Sequence, residues 1–127
     1  MIYGVGTDMV AVARMARLLA HHGERAVQRI LAPQEWPEFA RKSDGARFLA
    51  KRFAAKEALA KAAGTGLRSP VALSNIRVQH TSLGQPELVF ATELQTWMTT
   101  RGVTRAHLSI SDETEYVIAF VILETTP

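Results

Sequence analysis

Apolar and polar positions alternate from Met1 to Val10, which predicts a strand. The alternation places Ile2, Gly4, Gly6 and Asp8 on one face and Tyr3, Val5, Thr7 and Met9 on the other. From Ala11 to Ala20 the period lengthens to that of a helix. Val12, Met15, Leu18 and Leu19 form its apolar stripe, and Arg14 and Arg17 its polar side. A second helix is predicted over about 22–31. Pro33 opens a short third one, PQEWPEFARK, with Trp36, Phe39 and Ala40 as its buried face. Ser43 or Asp44 then caps the longest helix, about Gly45 to Ala63, and Gly64 ends it.

The second half reads differently. NIRVQHT and ELVF are strands joined by the turn SLGQP, which predicts a hairpin. TELQTWMTTRG is a helix with Leu94, Trp97 and Met98 inward and Gly102 as its stop. AHLSIS and EYVIAFVIL are strands joined by a turn at 112–114. The second of these is almost continuously apolar, which places it centrally in its sheet. The expected class is α+β: an antiparallel-leaning sheet, helices packed on one side, and one long central helix. With 127 residues and no repeat or linker, a single domain over 1–127 is expected.

Composition narrows the chemistry. The chain has no cysteine, which excludes a disulfide framework, a thiol nucleophile and thiolate-held metal. No apolar run is long enough to cross a bilayer, so no membrane span is expected. The first residues lack the basic start and apolar core of a signal peptide, and a cytosolic setting is expected. The net charge of +3 is unevenly spread. Residues 41–68 hold eight bases against two acids, whereas residues 69–127 hold three bases against six acids. The basic segment would attract nucleotides, nucleic acids or acidic proteins, although a solvated helix face would look the same.

Three stretches carry candidate chemistry. In GVGTD, two glycines clear the strand face on which Asp8 points, which suggests close approach by a backbone or a ligand. Asp8 is also suited simply to cap the next helix. On the long helix, Ala50, Ala54, Glu57, Ala58 and Lys61 share one face. Glu57 and Lys61 are spaced as a surface ion pair worth a few tenths of a kcal/mol. They are equally suited to a phosphate and metal site. Asp8 and Glu57 would supply two oxygen ligands to Mg²⁺, Lys61 would meet a phosphate, and Gly64-Thr65-Gly66, with Arg68 beyond, would let a bulky anion approach the backbone. In HLSISDE, His107, Ser109 and Ser111 share a strand face, opposite Leu108 and Ile110. No G-x-S-x-G or H-E-x-x-H motif occurs, so neither a nucleophile elbow nor a zincin site is present.

Five stretches, MIYGVGTDMV, RILAPQEWPEF, RFLAKRFAAKEALAKAAGTG, LGQPEL and HLSISDE, stand in an order and at separations that resemble a known family. It is the bacterial holo-acyl-carrier-protein synthases, small trimeric 4′-phosphopantetheinyl transferases. The resemblance spans essentially the whole chain. It implies that fold and a transfer of phosphopantetheine from coenzyme A to a serine of an acyl carrier protein, for fatty acid biosynthesis. It also implies Mg²⁺ held by Asp8 and Glu57, with Lys61 at the pyrophosphate. Arg52, Gly64, Gly66, Gly84, Pro86 and His107 would lie around the coenzyme, and Arg14 would meet the carrier protein. The family's active site lies between neighbouring subunits of a homotrimer. Either Glu57 or a metal-bound water would take the serine proton. Ala11 stands where many relatives carry glutamate, and Asp112-Glu113 where some carry histidine. The competing readings are a small basic nucleic-acid-binding module and a non-catalytic trimeric scaffold. The first is disfavoured because Phe48 and Phe53 fall at core-like positions rather than on a stacking surface.

Overall fold

Gly4 and Gly6 decide how the chain is layered. A Cβ on Gly4 would lie 1.9 Å from the carbonyl oxygen of Ala62, and one on Gly6 1.9 Å from that of Ala58. The missing side chains let a helix backbone rest directly on a strand. Of the two partners the sequence allowed at this face, a backbone is the one present.

The structure, a computed structural model, describes residues 1–126. Strand β1 (Ile2–Ala11) is followed by α1 (Val12–His22) and α2 (Glu24–Ile30). A 3₁₀ turn at Pro33–Glu35 leads into α3 (Trp36–Ala40) and the long α4 (Gly45–Ala63). After a second 3₁₀ turn, Leu73–Asn75, come β2 (Ile76–His80), β3 (Pro86–Phe90), α5 (Thr92–Thr100), β4 (Val103–Asp112) and β5 (Tyr116–Thr125). The strands form two antiparallel sheets rather than one. The larger has the order β1-β5-β4, and the smaller is the hairpin β2-β3. The apolar β5 is the central strand, as its composition requires.

Helix α4 lies across β1 and β5 and is buried on most sides, which suits its run of alanines. Its ends follow local rules. The Asp44 carboxylate, not Ser43, accepts the Arg47 amide at 3.0 Å, and Gly64 closes the helix with φ +82°. At its start Arg47 also reaches across to the β4–β5 turn. It donates to the carbonyls of Glu113 (2.7 Å) and Thr114 (2.9 Å) and pairs with Asp112, which Lys51 meets at 2.8 Å.

The opposite face of the larger sheet carries no helix. Val5, Met9, Tyr116, Ile118 and Phe120 point outward there and are exposed. The helices thus pack on one side, as expected.

The short third helix departs from expectation. Trp36 and Ala40 are exposed, Phe39 is half-buried, and the residue driven inside is Glu35, only 2% exposed. Polar bonding explains the exchange. The Glu35 carboxylate accepts from the amides of Ala32 (2.9 Å) and Val78 (3.0 Å), from Arg52 (2.8 Å) and from Lys56 (2.6 Å). Arg52 and Lys56, which the charge count assigned to a basic surface, are buried partners of this acid. Burial raises the proton affinity of Glu35, but the charge and hydrogen bonds of Lys56 and the bonds from Val78 and Arg52 outweigh it and hold the carboxyl below its usual range.

Adding one methyl group at the strand–helix contact should be severely destabilising. Gly6→Ala is expected to lose about 3 kcal/mol of unfolding free energy, because the new atom meets backbone rather than a movable side chain. Urea denaturation followed by circular dichroism measures this.

Candidate active site

Asp8 leaves β1 on the face that carries Gly4 and Gly6, so it points toward α4. Lys61, in the last turn of α4, donates to Asp8 Oδ1 at 3.1 Å and to the Thr7 carbonyl at 2.9 Å. Glu57, one turn earlier, faces the same place. Burial raises its proton affinity first, the negative charge of Asp8 raises it further, and the positive charges of Lys61 and Arg14 only partly compensate. The result is a carboxyl above its ordinary range. Glu57 has charge neighbours here but makes no hydrogen bond among the described residues.

Two acids that repel each other, one of them with its oxygens unbonded, are a donor set suited to a small divalent cation. Mg²⁺ takes one or two carboxylates and completes its shell with water and phosphate oxygens. The residues present fit that ion. Ala11 adds no donor, so two carboxylates are what the protein supplies at this place.

Glu57 also lines a cleft of about 460 Å³ between α1, α2 and α4. Met15, Ile30 and Phe53 contribute apolar surface, and Arg14, Arg25 and Arg29 contribute positive charge. The Arg14 guanidinium lies 5.3 Å from the centre of the Phe53 ring, which holds it near Glu57. Arg25 and Arg29 escaped the sequence reading. Their spacing of four on one helix was a usable signal, since it puts both on one side.

The remaining expected residues are not all in this place. Gly64 and Gly66 lie three and five residues beyond Lys61, with φ +82° and +64°. Gly84 and Pro86 lie at the turn and start of the β2–β3 hairpin. His107 is paired in register with Ile122, which is itself opposite Val5, so it sits on the helix-free face of the large sheet. There it bonds Glu124. Asp8 and His107 therefore occupy opposite faces of one sheet.

Arg52 needs correcting as a free coenzyme-binding residue. Its guanidinium is 3% exposed and already bonded to Glu35, Glu38 (3.0 Å) and the Val78 carbonyl (2.6 Å). It lies beneath a second cleft, about 260 Å³, where Lys42, Arg47, Lys51 and His80 provide the accessible basic groups. Burial and the neighbouring Arg52 charge lower the proton affinity of His80. Phe48 is also buried and offers no stacking platform to a nucleic acid.

A model of the 4′-phosphopantetheinyl transferase superfamily matches residues 4–121. The chain belongs to that superfamily. A holo-[acyl-carrier-protein] synthase of Nitrosospira multiformis is 58% identical over 98% of this chain and 99% of its own. The crystal structure of the holo-[acyl-carrier-protein] synthase from Neisseria meningitidis superposes with a TM-score of 0.96, at 46% identity, covering 98% of this chain and 100% of that one. The synthase from Bacillus anthracis, solved in complex with CoA (3′,5′-ADP), superposes with a TM-score of 0.82 at 34% identity, covering 99% of each chain. The α+β architecture, two antiparallel sheets with helices on one side, is the phosphopantetheinyl transferase fold.

The crowding of Asp8 and Glu57 has a thermodynamic sign. The folded pKa of Glu57 lies above its unfolded value, so ionised Glu57 opposes folding, and stability is recovered as the pH falls through the raised pKa. Without divalent cations near neutral pH, Glu57→Gln is expected to melt roughly 2 °C above the parent. The difference should shrink as the pH is lowered and Glu57 itself takes up a proton. Scanning calorimetry across pH tests both statements.

Proposed function

We propose that this chain is a holo-acyl-carrier-protein synthase, transferring the 4′-phosphopantetheine group of coenzyme A to a serine of an apo-acyl carrier protein. The observation that carries this reading is the meeting of Asp8, Glu57 and Lys61 beside an arginine-rimmed cleft. The match to synthases along nearly the whole chain supports it.

In this reading Asp8 and Glu57 hold Mg²⁺. Bound there, the ion would stabilise negative charge on the diphosphate of coenzyme A. Lys61 exchanges its bond to Asp8 for one to a phosphate oxygen, which its half-exposed position allows. The serine oxygen attacks the phosphorus nearest pantetheine, and the bond from that phosphorus to the bridging oxygen breaks. Adenosine 3′,5′-bisphosphate leaves with the bridging oxygen and its electron pair. Either Glu57 or a water beside the metal would take the hydroxyl proton. Positioning and charge stabilisation are the main tasks in phosphoryl transfer, and this set of residues can perform both.

Both partners are anionic, and the accessible charge suits them. Arg14, with Arg25 and Arg29, would receive the acidic carrier protein, and the Gly64–Gly66 turn would pass along the coenzyme. His107, Gly84 and Pro86 would join the coenzyme from a neighbouring copy, because within one chain His107 is on the wrong side of the sheet for Asp8. A homotrimer with sites between subunits accounts for this division. It also accounts for the exposed apolar residues Val5, Met9, Ile118 and Phe120 on the helix-free face, which assembly would cover. No helix is long and apolar enough to cross a membrane among the described residues. We place the activity in the cytoplasm, in the service of fatty acid biosynthesis.

Mass spectrometry of an apo-carrier protein incubated with coenzyme A and Mg²⁺ should show the gain of one phosphopantetheine. Absence of any gain would remove this reading. Asp8→Ala should lower the rate about a hundredfold or more while leaving the protein folded. A charge placed on the helix-free face should act through assembly. Phe120→Lys is expected to elute as a monomer in size-exclusion chromatography and to lose transfer activity, although Phe120 does not line the cleft beside Glu57.

A further inference from the structure

The structure assigns a positioning role to the buried Lys56–Glu35 ion pair: it sets the rotation of α4 about its axis, so that Glu57, the next residue, points at Asp8. The inference rests on the two-carboxylate cation site proposed above. Lys56 is fully buried, and its ammonium donates to three acceptors from three separate segments. These are the Ile30 carbonyl at the end of α2 (2.8 Å), the Glu35 carboxylate (2.6 Å) and the Leu73 carbonyl in the second 3₁₀ turn (3.0 Å). Arg52, one helical turn earlier, is held to Glu35, Glu38 and the Val78 carbonyl. The helix is therefore gripped at two successive turns along one side.

Successive helix residues are rotated by about 100°, so a fixed direction for Lys56 is a fixed direction for Glu57. Packing sets how closely α4 lies on the sheet: Ala54, Ala58 and Ala62 face a strand cleared by Gly4 and Gly6, and Leu49 and Leu59 are fully buried. Directional bonds to charged groups add an angular constraint on the side away from the strand. A buried ion pair is weak evidence for stability, because desolvation offsets much of its attraction; fixing one arrangement among several is its better-attested use. The same pair also holds the end of α2, which places Arg25 and Arg29 along the cleft.

The test is Mn²⁺ binding followed by electron paramagnetic resonance, with saturating coenzyme A, alongside steady-state kinetics. Lys56→Met keeps the apolar stem and removes the ammonium. It should weaken Mn²⁺ binding about tenfold and lower kcat by a similar factor, while KM for coenzyme A changes less than twofold. If this variant does not fold, the double variant Glu35→Gln, Lys56→Met removes both charges together and should show the same loss. Leu49→Ala, a core truncation on the same helix, should lower Tm and leave Mn²⁺ affinity unchanged. The assignment is overturned if either folded ion-pair variant binds Mn²⁺ as the parent does, or if Leu49→Ala weakens binding equally. A parent protein that binds no Mn²⁺ would instead overturn the two-carboxylate site itself.

Discussion

The fold depends on a contact made by absent atoms. Where β1 meets α4, the glycines at 4 and 6 leave space that the carbonyls of Ala62 and Ala58 fill. At any ordinary strand–helix spacing the side chains between the two elements would hold them apart. Here the backbones are nearly in touch, and the residues just beyond the contact, Asp8 and Glu57, are brought into each other's field. The energetic conflict between those two acids follows from the same closeness. The proposed cation site and the defect in stability would be two descriptions of one arrangement.

Charge inside the molecule is used in a different way. Glu35, Arg52 and Lys56 are all but sealed from solvent, yet each is answered by donors or acceptors of opposite character. Their bonds tie α4 to the end of α2, to both 3₁₀ turns and to β2. The helix thus has a bare, close-fitting side and a bonded side. The first allows proximity to the strand, and the second orients it.

Much of this was legible in the sequence because it is local. Alternation in IYGVGTDMV put Gly4, Gly6 and Asp8 on one face, and the spacing of Glu57 and Lys61 put both on one side of a helix. Those inferences need only the periods 2 and 3.6. What was not legible depends on partners distant in the chain. Glu35 bonds Arg52 17 residues away, Lys56 21 away and Val78 43 away. No local pattern marks such an acid as internal, so the pattern favours Trp36 as the buried residue and leaves Arg52 among the surface charges. The division of the strands into two sheets is likewise a matter of long-range pairing. His107, Ser109 and Ser111 do share one face of β4, but across the sheet that face also carries the exposed apolar Val5, Ile118 and Phe120, and alternation does not say which layer lies beyond it.

The clamp between Arg47 and the β4–β5 turn gives α4 a mechanical character. Ten residues separate Arg47 from Glu57, roughly 15 Å of continuous helix. The helix is a strut: its near end is fastened to the turn that closes β4, and farther along it bears an acid aimed at β1. A rigid member secured at both places transmits torque instead of absorbing it. Arg47 at the hairpin turn and Lys61 at Asp8 fasten the two ends of a single helix.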